Sequence, residues 1–362
     1  MKKLKVYVYA ICKNEEKFCE SWAKSMSEAD GIFVLDTGST DNTVELLQKN
    51  GVTVKSEKIT PWRFDTARNR SLQLVPADAD ICVCTDLDEL FEPDWRKKVE
   101  NAWVAGVRQL RYRYTWNFRA DGSEGYVFWL DNIHSRNGFK WVNPVHEVLK
   151  YEGKAPLITA EAEGVQLNHH ADPEKSRAQY LPLLEMSVKE DPKNDRNMHY
   201  LGREYMYYGK WDKCVETLLK HLAMPSAVWR DERAASMRYI AKSYAALGDK
   251  ANARKYHMLS VTEAPHLREP WLDFALFEEK EGNNYAVIAL CLEALKITER
   301  PKTYISEAES WGSLPYDLLS VAYFYTGNKI EACKMIDKAL AINPTEPRLI
   351  KNREIIFGSN IL

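Results

Sequence analysis

The feature that most constrains the fold of this chain is a fourfold pattern in its C-terminal half. Aligned on Gly209, Gly248, Gly282 and Gly327, the sequence places Tyr205, Tyr244, Glu278 or Tyr323 four residues earlier and Cys214, Ala253, Val287 or Ala332 five residues later. Twelve residues after each glycine come His221, Ser260, Ala294 and Ala339, small in three of four copies, and a proline follows at 225, 265, 301 and 344. From about residue 176 the pattern is helical only, so the repeat predicts stacked helix pairs whose shared core runs between neighbours. Glycine spacings of 39, 34 and 45 require loop insertions, which stacked repeats tolerate.

These anchors resemble the tetratricopeptide repeat, which implies close helix packing at the small residues, a turn at each glycine and a helix end at each proline. Ser176 to Pro192 fits the second helix of an incomplete leading repeat, because Pro192 precedes Pro225 by 33 residues. The stretch after Pro347 reads as a capping helix. Residues 176–362 are therefore expected to form an all-α repeat domain. Tyr200, Tyr207, Tyr208 and Trp211, with Trp271, Phe274 and Phe277, supply more aromatic surface than packing within a repeat requires. A peptide or protein, or a second copy forming a homodimer, is the expected partner of that surface.

A chain of 362 residues has room for about two or three domains. Residues 1–175 read differently from the rest, with short β-rich runs at Val6–Ile11, Gly31–Leu35, Gly51–Val54 and Ala79–Cys84 separated by helix-compatible stretches at Glu15–Ala29 and Asn42–Lys49. Strand, helix, strand, helix, strand predicts an α/β domain with a mostly parallel sheet. Open α/β sheets bind ligands at the carboxyl ends of their strands. Lys13-Asn14-Glu15, Asp36-Thr37-Gly38-Ser39 and Asp86-Leu87-Asp88 all fall at such ends.

Composition excludes several classes. Lys plus Arg (50) nearly balance Asp plus Glu (52), so no global field draws the chain to nucleic acid or anionic lipid. Seven scattered cysteines, an odd number, predict reduced thiols and a cytoplasmic protein. Lys2, Lys3 and Lys5 precede an apolar run too short for a signal segment, and no run approaches the roughly 18 to 20 apolar residues of a membrane helix. There is no GxxxxGK[ST] loop, GxGxxG or GxSxG, and His146-Glu147 is followed by Lys150, not by the second histidine of a zinc helix. Cys82 and Cys84 alternate with Ile81 and Val83 on a buried strand and read as core residues.

Asp86 and Asp88, one residue apart at a strand end, would repel unless a hard divalent cation offset their charge. Read structurally, they are an acidic turn before the helix near Pro93. In Asp36-Thr37-Gly38-Ser39-Thr40-Asp41-Asn42-Thr43, Gly38 supplies a turn and Ser39 or Asp41 a helix cap, while Asp36 can also accept hydrogen bonds from a base or ribose. Aromatics from Tyr112 to Trp141, interleaved with Arg108, Arg111, Arg113, Arg119 and Arg136, predict an antiparallel hairpin packing on the sheet. A nucleic-acid acceptor has little support from the balanced charge.

The series Ala10-Ile11-Cys12-Lys13-Asn14-Glu15, Asp36 to Thr43, Trp62-Arg63-Phe64-Asp65-Thr66-Ala67-Arg68-Asn69 and Asp86-Leu87-Asp88-Glu89 resembles a family 2 glycosyltransferase of the GT-A fold, a Rossmann-like nucleotide-sugar binding domain. With the repeats behind it, the whole chain resembles the bacterial subgroup that includes the sublancin S-glycosyltransferase. The resemblance implies an inverting, hexosyltransferase-like enzyme that uses a nucleoside diphosphate sugar, a UDP-sugar, with Mn²⁺ or Mg²⁺. Asn14, Glu15 and Asp36 would hold the nucleoside, Arg68 the diphosphate or sugar, and Asp86 the ribose and sugar. Asp88, with Asp86, would bind the metal, and His169 or His170 would supply a further ligand, His170 being the expected one. The family's usual acidic pair at the base position is missing, which leaves Glu147 as the expected base, with His146 as a metal ligand or phosphate partner. A nucleotidyltransferase, or a repeat-based binding protein with an inactive front domain, are the rival readings.

Overall fold

A computed structural model describes residues 3–119, 122–172, 175 and 178–358, and the chain divides into two units, Met1–Ser187 and Val188–Leu362. The first contains, in order, β1 (Val6–Cys12), α1 (Cys19–Ser25), β2 (Gly31–Asp36), α2 (Thr43–Lys49), β3 (Thr53–Ser56), α3 (Phe64–Leu72) and β4 (Ile81–Cys84). These are followed by β5 (Glu89–Phe91), α4 (Trp95–Ala102), β6 (Gln109–Thr115), β7 (Val127–His134), β8 (Phe139–Val142), β9 (Val148–Tyr151), β10 (Thr159–His169) and α5 (Tyr180–Glu190).

Eight strands form one sheet in the order β3-β2-β1-β4-β7-β6-β10-β5, and β8 and β9 form a separate ribbon. The expected parallel part is β3-β2-β1-β4. Beyond β4 the sheet is mixed. β7 pairs antiparallel with β4 and β6, β10 parallel with β6, and β5 antiparallel with β10. The aromatic segment is the cause, because β6 and β7 are joined as a hairpin, a connection that only antiparallel neighbours can use.

Alternation along β1 sends Val6, Val8, Ala10 and Cys12 into one core with Trp22 and Met26, Leu47 of α2 and Trp95 and Val99 of α4. Tyr9 faces the other side with Leu72, Cys82, Cys84 and Trp141, and Ile11 packs there with Leu35 and Ala67. Both faces of β1 are thus covered, as a central parallel strand requires. Cys82 and Cys84 are core residues, and burial pushes each thiol up to about 12.

The second unit pairs α6 (Asp195–Tyr207) with α7 (Trp211–Ala223), α8 (Arg230–Ala246) with α9 (Lys250–Glu263), α10 (Arg268–Lys280) with α11 (Asn284–Leu295) and α12 (Leu314–Tyr325) with α13 (Lys329–Ile342). A last helix, α14 (Pro347–Gly358), follows. Each aligned glycine lies between the helices of a pair at positive φ, from 66 to 83°. In every copy the residue after the glycine donates its amide to the carbonyl four residues before the glycine, as Lys210 does to Tyr205 and Asn328 to Tyr323, both at 2.8–2.9 Å. That is the Schellman end, which requires the left-handed conformation glycine adopts without steric cost. The residues five and twelve positions on are 0–1% exposed in all four copies, which favours small side chains there, His221 and Val287 apart. The spacing of 45 reflects a stretch of residues 296–313 that carries a 3-10 turn at Ala308–Trp311. Residues 176 and 177 of the expected leading helix lie outside the described residues, and α5 covers the remainder of it. Tyr200 and Phe277, expected at the surface, are 5% and 7% exposed and belong to the packing between helices, while Tyr207 (59%) and Tyr208 (44%) are exposed.

One ion cluster inside this unit predicts a stability effect. Arg238, 1% exposed, donates to Asp273 at 2.6 Å and to Glu307 at 2.7 Å, and Lys242 also reaches Asp273 at 2.7 Å. Burial disfavours the Asp273 carboxylate, but Arg238 and then Lys242 outweigh it and hold the group well below the usual carboxylate range. Asp273→Ala leaves the buried Arg238 with Glu307 as its one carboxylate partner and takes the partner from Lys242, and is expected to cost about 3 kcal/mol in urea unfolding at pH 7, the low end for breaking a buried pair. Because the folded pKa is the lower one, this contribution is present above about pH 4 and is lost as the pH falls. A variant within about 1 kcal/mol of the parent would show that the cluster contributes little.

Candidate active site

The loops after β1 and β2 clamp one another. The amides of Asn14, Glu15 and Glu16 donate to Ser39 Oγ at 2.9 Å, Thr43 Oγ1 at 2.7 Å and Asp41 Oδ2 at 3.3 Å. With these amides taken by side chains, the expected helix from Glu15 begins only at Cys19, and Asn14 sits at φ 55°. Asn14 Oδ1 accepts in turn from the Thr40 amide at 2.8 Å. Gly38 makes the turn, at φ 113°, where a side chain would be strained. Asp36 is buried at 3% exposure, and its Oδ1 accepts the Ser39 amide at 2.9 Å. Its Oδ2 has no protein hydrogen bond among the described residues and can accept one from a ligand.

Arg68, on α3, joins the next two sequence candidates. Its Nε donates to Glu147 Oε1 at 2.8 Å, its Nη2 lies 2.9 Å from Asp86 Oδ1, and its Nη1 donates to Cys84 Sγ at 3.5 Å. The guanidinium also lies over Trp141, 5.3 Å from the ring centroid. Burial works against its charge, and Asp86 and Glu147 restore it. Asp86 therefore turns toward Arg68, with a side chain 44% exposed, while Asp88 is 8% exposed. The two carboxylates do not share one partner as the spacing suggested, because residues 87 and 88 form a turn after β4.

Asp88 Oδ2 lies 3.4 Å from His169 Nε2 and 3.5 Å from Lys175 Nζ. His169 Nδ1 is fixed by the Trp116 carbonyl at 2.7 Å, and the ring stacks on Trp116 with centroids 4.6 Å apart. Burial disfavours the imidazolium, but Asp88 outweighs it and raises His169 to about 9. Asp88 is lowered by His169 and Lys175 against its own burial. Lys175 also donates to Glu15 Oε1, and Glu15 Oε2 is buried without a hydrogen-bond partner. Burial, together with Asp88 and Asp86, raises Glu15 to about 7 against the pull of Lys175. Glu89 is raised to about 8, by burial first and then by Asp86 and Asp88, and accepts from the Asp86 amide at 2.8 Å and the Tyr114 hydroxyl at 2.7 Å.

His170, the histidine expected to face Asp88, does not. Its amide donates to the Asp88 carbonyl at 2.7 Å, but its exposed ring stacks on Phe118 at 5.7 Å. Neighbouring side chains at a strand end point to opposite sides, so only His169 meets the carboxylate. His169, His170, Phe18 and Phe118 help line a cavity of about 460 Å³ beside this pair.

Two carboxylate clusters with fixed cationic partners thus adjoin the carboxyl ends of β1 and β4, the end of an open α/β sheet where ligands bind. Residues 7–138 match the glycosyl transferase family 2 model. The first unit carries a family 2 glycosyltransferase domain. Among solved structures, the chain is similar to glucosyl-3-phosphoglycerate synthase from Mycobacterium tuberculosis in complex with Mg²⁺ and UDP, at 26% identity, TM-score 0.27, over 31% of this chain and 44% of that one. It is also similar to a thermophilic TPR protein of Thermus thermophilus, at 18% identity, TM-score 0.37, over 49% of this chain and 89% of that one. A third similarity is to MamA, at 17% identity, TM-score 0.36, over 46% and 83%.

Of the residues expected from sequence, Arg68 joins Asp86 and Glu147, Asp88 pairs with His169 and Lys175, Asp36 holds the Ser39 amide, and Asn14 serves the loop clamp. His146, at φ 50°, packs against Tyr180 with ring centroids 5.7 Å apart. Lys175 was missed because nothing in its local sequence marks it, 160 residues from its partner Glu15. Glu89 had a signal, since it completes the acidic run after β4.

Proposed function

We propose that this chain transfers a sugar from a UDP-sugar to an acceptor side chain with inversion, assisted by a divalent cation. The placement of Asp36, Asp86 and Asp88 after the ends of β2 and β4, with Arg68 held on Asp86, inside the segment that matches family 2, is the observation that carries the reading. Asp88 Oδ2 and His169 Nε2 lie 3.4 Å apart, close to the roughly 3 Å edge of an octahedral site with ligands at about 2.1 Å. Glu15 Oε2, buried without a hydrogen-bond partner, is a further oxygen tied to Asp88 through Lys175. These residues fit Mn²⁺ or Mg²⁺, held by Asp88 and His169 with Asp86 close by. When bound, the ion would offset the charge developing on the departing diphosphate.

The chain's own groups do the rest. Asp36 Oδ2 accepts from the nucleoside, and Arg68 holds Asp86 and Glu147 in one orientation facing the diphosphate and sugar. Glu147, with one oxygen on Arg68, uses the other to take the proton of the acceptor, with His146 beside it. Phe18, Phe118 and His170 offer ring faces to the acceptor or sugar.

For the second unit we propose recruitment of a peptide or protein acceptor, or of a second copy, supported by the exposed Tyr207 and Tyr208. Seven free cysteines, six of them buried, support a cytoplasmic location. Among the described residues no helix is long and apolar enough to cross a membrane.

A panel of nucleotide sugars incubated with the protein and Mn²⁺ tests the donor by release of nucleoside diphosphate. In calorimetry, Asp36→Ala is expected to weaken UDP binding about 10- to 100-fold, the loss of one charged hydrogen bond. Absence of UDP binding by the parent protein in Mn²⁺ would remove this reading.

A further inference from the structure

The helical unit encloses a polar cluster for which the transferase chemistry has no use. His199 on α6, His221 on α7 and Ser236 on α8 are fully buried, and Glu232 on α8 is 4% exposed. Nδ1 of His199 and Nδ1 of His221 both lie on the Ser236 hydroxyl, at 2.8 and 3.0 Å. Both Nε2 atoms are buried with no hydrogen-bond partner. His221 Nε2 stands 3.4 Å from Glu232 Oε1, and one donor atom from each of His199, His221 and Glu232 lie within 4.8 Å of one another. The Tyr304 hydroxyl donates to the other Glu232 oxygen.

Counting protons shows what this cluster lacks. Ser236 has one hydroxyl proton, so it can accept from both Nδ1–H groups or donate to one ring and accept from the other. If it accepts from both, both Nε2 lone pairs are left bare beside a carboxylate. Each mixed assignment still leaves at least one Nε2 unmet, a cost of about 1–3 kcal/mol in a dry interior. The first assignment is that of two metal-binding imidazoles whose other N–H is anchored by a neighbour. Two histidines and one carboxylate are a zinc donor set.

We propose that His199 Nε2, His221 Nε2 and a Glu232 carboxylate oxygen form a buried site for a divalent transition metal of the zinc type, tying α6 and α7 to α8. Arg196 and Arg203 act against a dication, since both disfavour charge on His199. Their guanidiniums stack on Tyr200, 4.9 and 4.4 Å from the ring centroid, where the ring face offsets part of their charge. Sequence reading passed over this site because its ligands lie on three helices, and His221 occupies the position that is small in the other repeats.

The test uses the full chain produced with Zn²⁺ or, separately, Co²⁺ in the growth medium and briefly treated with chelator to strip exposed metal. About one equivalent retained by elemental analysis, visible absorption from the Co²⁺ form and a raised melting temperature are expected. His199→Gln and Glu232→Gln should each reduce retained metal at least tenfold. Ser236→Ala, which keeps every ligand, should weaken retention about 10- to 100-fold through the lost anchor. Asp88→Ala should retain the metal fully, which separates this site from the one in the transferase domain. Parent protein holding no more Zn²⁺ or Co²⁺ than His199→Gln would overturn the proposal, as would unchanged retention in all three helical-unit variants.

Discussion

Asp88→Ala is expected to lower sugar transfer by about 10²- to 10³-fold, the usual loss when one preorganised electrostatic group is removed from a transition state. Asp88 is 8% exposed and faces His169 and Lys175 at 3.4 and 3.5 Å. Truncation takes away the carboxylate that keeps His169 protonated and pairs with Lys175, so an added divalent ion has lost its anionic ligand. The main chain is untouched, because the Asp88 carbonyl still accepts the His170 amide at 2.7 Å. The variant should therefore keep the parent's circular dichroism spectrum and melt within a few degrees of it. EDTA should abolish transfer by the parent protein, and Mn²⁺ or Mg²⁺ should restore it. Full turnover by the variant in chelator would end the metal assignment.

Arg68→Ala is expected to remove measurable transfer and to cost about 2–4 kcal/mol of stability in urea unfolding. The side chain is 9% exposed and holds Glu147, 11% exposed, together with Asp86, 44% exposed. Without the guanidinium the Glu147 carboxylate is buried unpaired, whereas Asp86 is rescued by solvent, which places the cost at the low end for a buried pair. The space over Trp141 and beside Cys84 would also empty. Arg68→Lys should rescue neither property, because one ammonium cannot reproduce a planar fork that contacts three groups at once. A lysine variant with transfer and stability close to the parent would show that charge alone, not its geometry, is needed here.

The strands β1 to β4 and the helices between them were legible because each carries its own signal: apolar runs of buried parallel strands, and glycine and aspartate at the turns. The repeat was more legible still, since each glycine marks the same helix end four times and the small residues mark the same closed contact. Asp36, Asp86 and Asp88 were recognisable because they follow strand ends of an open α/β sheet, and Arg68 through the motif in which the chain resembles family 2. The pairings between them were not. Arg68 meets Asp86 across 18 residues and Glu147 across 79, and no local pattern encodes either contact.

What the sequence by itself determined is therefore the order of elements, the turns and the strand ends at which the candidate residues lie, all of which depend on neighbours within a few residues. Tertiary structure alone decided which histidine meets Asp88, that Lys175 reaches Glu15, that the sheet turns mixed after β4, and that His199, His221 and Glu232 converge. Each of these follows from how separate segments pack, and the free energy that selects them belongs to the assembled core rather than to any one segment.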